Sequence, residues 1–334
     1  MAVAELAPSA TITRKSRSLY AEAMIRLGKN KVAVASIAFI VLLVLSAIFA
    51  DYITTGDFAK QDLMANNTIP HWLLPIMPAG AENYVRFNDK FILGADHLGR
   101  DLWTRTVYGA RVSLSVAFVA STVSLVIGTV YGLISGYAGG TVDNVMMRIV
   151  DFLYGFPFLI VVILLQTYFK AIARRGASGN FGQMLVDLNS TMGGMLFLFI
   201  AIGLINWIGM ARVARGQVLS LREKEFVEAA RSVGASSIRI IFRHIMPNIL
   251  GPLIVLETLA IPGYIFTEAF LSFIGLGVDP PTPSWGIMIS EAAQGLRTYP
   301  NQVLPPAVAL TLTTLAFNFM GDGLRDAFDP RLKE

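Results

Sequence analysis

Two carboxylates stand where carboxylates are costly. Glu257 and Glu268 fall inside the apolar stretch Ile249–Leu276, with Pro262-Gly263 between them. An ionisable side chain within a membrane span is by default a candidate for ion coupling or for lining a solute path. Asn206, near the end of the apolar stretch Met192–Ala211, is the third intramembrane polar candidate. Architectural roles compete: one pairs Glu257 with basic residues near the cytoplasmic face and makes Glu268 a packing residue. Asp96-His97 offers two metal-type ligands, but no third group in the sequence fixes a geometry, so the pair reads as structural. Asp143, Arg148 and Asp151 suit interfacial ion pairing better than a proton relay. Cysteine is absent, which removes thiolate nucleophiles, disulfides and Cys-based zinc sites. Gly28-Lys29 is followed by Asn30, and Ala23 stands where a phosphate loop needs its first glycine. None of His71, His97 and His244 precedes a glutamate, and no GxSxG elbow occurs. No catalytic residue and no metal site is therefore assigned. A solute moved uphill must draw its energy from ions or from another chain.

The elements that would hold these residues are membrane spans. Hydrophobic residues make up 54% of the 334, and charged residues only 15%, against roughly 25% charged in soluble domains. The net charge of +4 does not point to nucleic acid, because the basic residues gather at the N-terminus and in Glu223–Pro247, as membrane topology requires. Val32–Ala50 is uncharged and spans roughly 28 Å as a helix. It is too long for a signal-peptide core and has bulky Ile48 where cleavage wants a small residue, so it reads as an uncleaved anchor. Further spans are expected at Val112–Ala138, Phe152–Phe169 with a kink at Pro157, Met192–Ala211, Ile249–Leu276 and Val303–Met320. Gly128, Gly132 and Gly136 form a small-residue ladder that lets another helix approach closely. Lys170–Thr191 reads as a polar loop, and the proline-broken His71–Pro78 is too short to span. Six spans put both termini on one side. With that side inside, 17 of the 27 Lys and Arg lie inside and 10 outside, so the positive-inside rule places Glu223–Pro247 in the cytoplasm.

Glu223–Pro247 is a charged island between apolar blocks. It reads as two short helices. Phe226, Ala230 and Val233 share one face of the first. Gly234 ends it in a left-handed cap with no room for a Cβ, and Ser236 or Ser237 caps the second. Ile238, Ile241, Phe242 and Ile245 share one face of that helix, and Pro247 stops it. A helical hairpin lying on a bilayer has this pattern too.

The residue identities go further. Glu228-Ala229-Ala230, Gly234 and His244-Ile245-Met246-Pro247-Asn248 resemble the EAA loop of ABC importer permeases. Met246 replaces the usual leucine, a swap that nearly conserves volume. Gly94-Ala95-Asp96-His97-Leu98-Gly99-Arg100-Asp101 with Arg105, Gly109, Arg111, Ser113 and Leu114 resembles the lead-in of the second, C-type membrane subunit of dipeptide, oligopeptide and nickel importers. Gly136–Gly140 with Asp143, Met147 and Arg148, then Glu268–Gly286, then Gly321–Asp326 with Asp329–Leu332, match the same group. Glu5–Thr13 and the extra length around Asn66–Asn83 match nothing in it.

The resemblance implies an all-α, polytopic membrane protein with six transmembrane helices in the type I ABC importer permease fold. Residues 1–31 would be a cytoplasmic head, 32–50 the anchor helix, 51–110 an extracytoplasmic segment, 111–325 the permease core and 326–334 a cytoplasmic tail. Implied partners are a paralogous second permease, two ABC ATPase subunits or domains and an extracytoplasmic solute-binding protein, in the cytoplasmic membrane of a bacterium or archaeon. No cofactor is expected on this chain; ATP and Mg would sit on the ATPases. The coupling residues implied are Glu228, Ala229, Ala230, Gly234, His244, Met246 and Pro247. The alternative, an ion-coupled secondary transporter using Glu257 and Glu268, predicts inverted repeats, and the sequence shows no internal self-similarity. The substrate, whether peptide, nickel chelate or oligosaccharide, is not specified by the sequence.

Overall fold

The computed structural model describes residues 19–54, 56–176 and 179–329. Arg14, Lys15, Arg17, the Glu5–Thr13 stretch and the Pro330–Leu332 part of the tail match lie outside them. Helix α1 (Leu19–Lys29) turns into α2 (Lys31–Ile48) at Asn30, whose side chain caps α2 by accepting from the Ala33 N–H at 3.1 Å. A single turn, α3 (Ala50–Ile53), leads into the polar segment. That segment is made of short 3-10 turns and one parallel pair of two-residue strands, β1 (Thr68–Ile69) and β2 (Arg86–Phe87). The fold is otherwise helical.

Helix α4 (Leu102–Ala138) starts ten residues before the expected span, because Asp101 caps it by accepting from the N–H groups of Trp103 and Thr104. Gly139-Gly140 turns the chain into α5 (Gly140–Tyr154), and α6 (Phe158–Arg175) follows after a 79° bend at Gly155–Pro157. The expected Phe152–Phe169 span is thus a broken pair, not one kinked helix. Proline 157 has no N–H to continue the ladder, and the chain restarts after it. Helices α6 and α7 (Asn180–Thr191) occupy much of the expected Lys170–Thr191 loop. The later helices are α8 (Met195–Arg222), α9 (Glu225–Ser232), α10 (Ser237–Ile240), α11 (Met246–Phe273), α12 (Trp285–Ala293) and α13 (Leu304–Phe328). Among the described residues, five helical stretches are long and apolar enough to cross a membrane, six if α5 and α6 form one broken span.

The glycine ladder does what its spacing requires. A Cβ on Gly128 would lie 2.5 Å from Met210 Cβ, on Gly132 2.6 Å from the Ala211 carbonyl, and on Gly136 3.0 Å from the Arg215 carbonyl. Helices α4 and α8 therefore pack backbone to backbone. Helix α5 is tied to the end of this pair: Asp143 takes a bidentate contact from Arg215 at 2.5 Å and a hydrogen bond from the Ser135 hydroxyl, and Asp151 pairs with Arg212 at 2.6 Å. Helix α11 packs against α4 on one side and α13 on the other.

Candidate functional site

The hairpin α9–α10 is held by a narrow buried edge. Val227 and Ala230 of α9, with Ile240 and Ile245 beyond the turn, join Leu133, Met210, Ala214, Val218, Ile249 and Leu253 in one apolar cluster. This corrects the expected face. Ala230 is buried, but Phe226 and Val233 are not, and Val233 is 85% exposed. In the second half Ile238 and Phe242 are 70% and 63% exposed, while Ile245 is buried. The periodicity was that of two apolar edges, one turned to this chain and one away from it. Glu228 and Ala229 are exposed too.

Gly234 lies at φ +80°. Ala235 N–H donates to the Ala230 carbonyl at 3.0 Å and Gly234 N–H to that of Arg231 at 2.9 Å, the paired bonds that close a helix C-terminus. A Cβ there would meet nothing within 4 Å, so the demand for glycine is conformational and not one of space. Ser236 caps α10, accepting from Arg239 N–H at 3.4 Å.

Pro247 does not stop a helix. It sits in the first turn of α11, a position that tolerates proline, and the chain runs on through it. Between α10 and α11 the chain makes one π turn, Ile241–Ile245, and continues. Asn248 Nδ2 donates to the His244 carbonyl at 2.6 Å, next to the place where proline interrupts the ladder. Met246 packs at the edge of the apolar cluster. The EAA-like residues thus frame a helix, a left-handed turn and a wide joint into a long span.

The intramembrane acids are enclosed. Glu257 is 4% exposed; Oε1 accepts from the Tyr264 hydroxyl at 2.7 Å and Oε2 from Ser124 at 3.1 Å. Its partners are hydroxyls of α11 and α4, not the basic residues expected. Asn206 joins this cluster only through its backbone, whose carbonyl faces Ser124 at 3.4 Å; its side chain donates to Ile202. Glu268 is 0% exposed, with Ser113 at 2.8 Å and Ser272 at 2.7 Å on its two oxygens. Each carboxyl ties α11 to α4. The two sit eleven residues apart, roughly 16 Å along the helix, and share no partner.

At the end of α4 remote from the hairpin, the lead-in motif closes on itself. Asp96 accepts from Arg100 Nε at 2.6 Å, and Glu291 of α12 takes both Arg100 at 2.7 Å and Arg105 at 2.9 Å. Arg105 is 1% exposed. Arg105, Gly109 and Ser113, four residues apart, form one face of α4. That face meets Glu291, the Trp285 ring and Glu268 in turn; Trp285 Nε1 donates to the Thr106 carbonyl at 3.0 Å, and a Cβ on Gly109 would touch its ring at 3.0 Å. Gly286 lies where a Cβ would meet the Ala269 carbonyl at 2.4 Å. Glu291 does supply a third candidate ligand beside Asp96-His97, but guanidinium groups already hold Asp96 Oδ2 and Glu291 Oε2. Glu291 carried no sequence signal: its partners lie nearly two hundred residues away.

Comparison with known proteins agrees with this architecture. Residues 128–334 match the family described as binding-protein-dependent transport system inner membrane component, and residues 18–75 the N-terminal TM domain of oligopeptide transport permease C. The chain is 38% identical to the oligopeptide transport system permease protein OppC of Bacillus subtilis (strain 168), over 100% of this chain and 96% of that one. It is 40% identical to the OppC of Escherichia coli (strain K12), over 95% and 93%. To the dipeptide transport system permease protein DppC of Bacillus subtilis it is 37% identical, over 97% and 89%. Among solved structures, a chain of the MetNI methionine ABC transporter in inward-facing conformations superposes with a TM-score of 0.50 at 20% identity, over 68% of this chain and 97% of that one. That likeness carries the fold alone. Matched along its whole length, with hairpin and lead-in both in place, the chain belongs to the family of binding-protein-dependent inner-membrane components, the transmembrane permeases of ABC importers.

Proposed function

We propose that this chain is the C-type permease of a peptide importer, and that its hairpin is where ATP hydrolysis on other subunits is converted to movement. The observation that carries the coupling role is the outward edge of the hairpin: Phe226, Val233, Ile238 and Phe242 stand exposed together with Glu228 at a polar end of the molecule. An apolar edge of this kind, rimmed by charge, suits a protein partner. The partner is an ABC ATPase, one of two, each carrying ATP and Mg. A paralogous second permease supplies the other half of the path, and an extracytoplasmic binding protein delivers the solute to the outer segments. Both termini and the hairpin face the cytoplasm, as the distribution of Lys and Arg favours. The chain itself hydrolyses nothing. Peptides are the substrate class, supported by the names of the relatives.

Glu257 and Glu268 serve architecture in this reading. Both are sealed from solvent and satisfied by hydroxyl groups of neighbouring helices. An ion-coupled mechanism would need one of them to meet an ion.

The test is ATP-driven peptide uptake by the purified complex in vesicles. Glu228→Lys reverses charge on the docking edge, and Gly234→Val forces a β-branched side chain into a left-handed turn. Each should abolish uptake while the chain remains inserted. Normal uptake with substrate-stimulated ATPase activity in either variant would remove the coupling role. A proton gradient without ATP should drive no uptake; uptake under that condition would restore the ion-coupled alternative.

A further inference from the structure

The joint between hairpin and span is interrupted on one side and clamped on the other. On the hairpin side the ladder is weakened by the π turn Ile241–Ile245 and by Pro247, which has no N–H to offer the preceding turn. On the span side three elements converge within two turns of Pro247. The Tyr20 hydroxyl of α1 donates to the Pro247 carbonyl at 2.6 Å. The Tyr20 ring meets that of Phe328, at the end of α13, edge to face at 5.9 Å. Phe328 in turn lies over Gly251 of α11, where a Cβ would be 2.9 Å from its ring. Arg26 extends the fastening, donating to the Asp329 carbonyl at 3.0 Å. At the α1–α2 elbow, Gly323 of α13 lets Ala33 approach so closely that a Cβ would lie 2.3 Å away. Tyr20 therefore contacts both the first turn of α11 and the last turn of α13.

We propose that α1, with Tyr20 as its positioning residue, anchors the first turn of α11, so that the hairpin swings about the π turn against a fixed span. The proposal rests on the hairpin being the ATPase-docking element. Without the anchor, the start of α11 would follow the hairpin and dissipate its stroke near the membrane surface. With it, the joint has one hinge and one fixed side, the division of labour a lever needs.

The chain has no cysteine, so introduced thiols are its only labelling sites. Two spin-labelled pairs are made in the full complex: Met24→Cys with Ile254→Cys, across the clamp, and Ser237→Cys with Ile254→Cys, across the π turn. All three positions are exposed. Distances are compared between the nucleotide-free and the ATP-vanadate-trapped complex. The first pair should hold within about 2 Å, while the second shifts by more than that, as hinge motion requires. A first pair that moves with the second overturns the anchor and leaves the coupling role standing. A second pair that stays still while transport proceeds overturns both. In vesicles, Tyr20→Phe, which keeps the ring and loses one hydrogen bond, should lower peptide delivered per ATP hydrolysed roughly threefold to tenfold. Parallel loss of uptake and ATPase activity would show a role in assembly alone and overturn the proposal.

Discussion

The two ends of this permease carry equally recognisable motifs and put them to opposite uses. At the lead-in end, Asp96, Arg100, Arg105, Gly109 and Ser113 are consumed inside the chain: each meets a named partner, and little remains for anything outside. At the hairpin end, Val227 and Ala230 suffice to hold α9, and the larger apolar side chains are left exposed. The glycines repeat the contrast. Gly99 and Gly234 are both left-handed, at φ +72° and +80°. A Cβ on Gly99 would lie 1.8 Å from the Asp62 carbonyl, and one on Gly234 would touch nothing. Burial, which the motifs do not encode, separates a residue consumed by the fold from one left exposed.

The contrast can be broken by substitution. Arg105→Ala leaves Glu291 and Asp96 short of a buried countercharge and should cost about 3–5 kcal/mol, read as a lowered thermal midpoint of the detergent-solubilised chain. Gly99→Ala should cost roughly 2–4 kcal/mol by the same measurement, since a blocked Cβ adds to the left-handed strain. Phe242→Asp should leave that midpoint unchanged yet weaken ATPase association by about 2 kcal/mol, roughly 30-fold, in a pull-down titration. If Phe242→Asp lowers the midpoint as Arg105→Ala does, the two ends are not different in kind. Gly234→Ala should cost about 1–2 kcal/mol, confined to the hairpin and visible as faster amide exchange in α9.

The smallest expected effect concerns pH. Asp89 accepts from the His71 N–H at 2.8 Å and pairs with its ring at 2.7 Å, and both contacts hold its carboxyl below the ordinary aspartate range. Such a group adds stability above its unfolded pKa, and loses it as pH falls through the lower folded value. Amide protection around His71, taken relative to the intrinsic exchange rate at each pH, should therefore fall below about pH 4, and Asp89→Asn should remove that dependence.

Much of the architecture was legible because lipid leaves few choices: uncharged runs of the right length must be helices. The Gly128–Gly136 ladder gave away its packing partner's closeness, though not that the partner was α8. Boundaries were less legible. Arg222 and Arg175 lie inside helices because a helix can run on beyond apolar surroundings. The hairpin faces were misassigned because periodicity finds an apolar stripe and does not say what covers it. Pro247 was misread because a proline that ends one helix and a proline that begins another look alike in sequence. The hydroxyl partners of Glu257 come from a different helix and from seven residues along its own, a pairing that local pattern cannot reveal.

The glycine seam between α4 and α8 has a mechanical corollary. With no room for even a methyl group along three successive turns, the two helices form a stiff beam. Helix α4, the longer member, has 37 residues, and at about 1.5 Å per residue it is roughly 55 Å long. A tilt of about 10° would carry its far tip roughly 10 Å sideways, on the scale of a peptide's width. Small rotations at one end of such a helix are therefore magnified at the other.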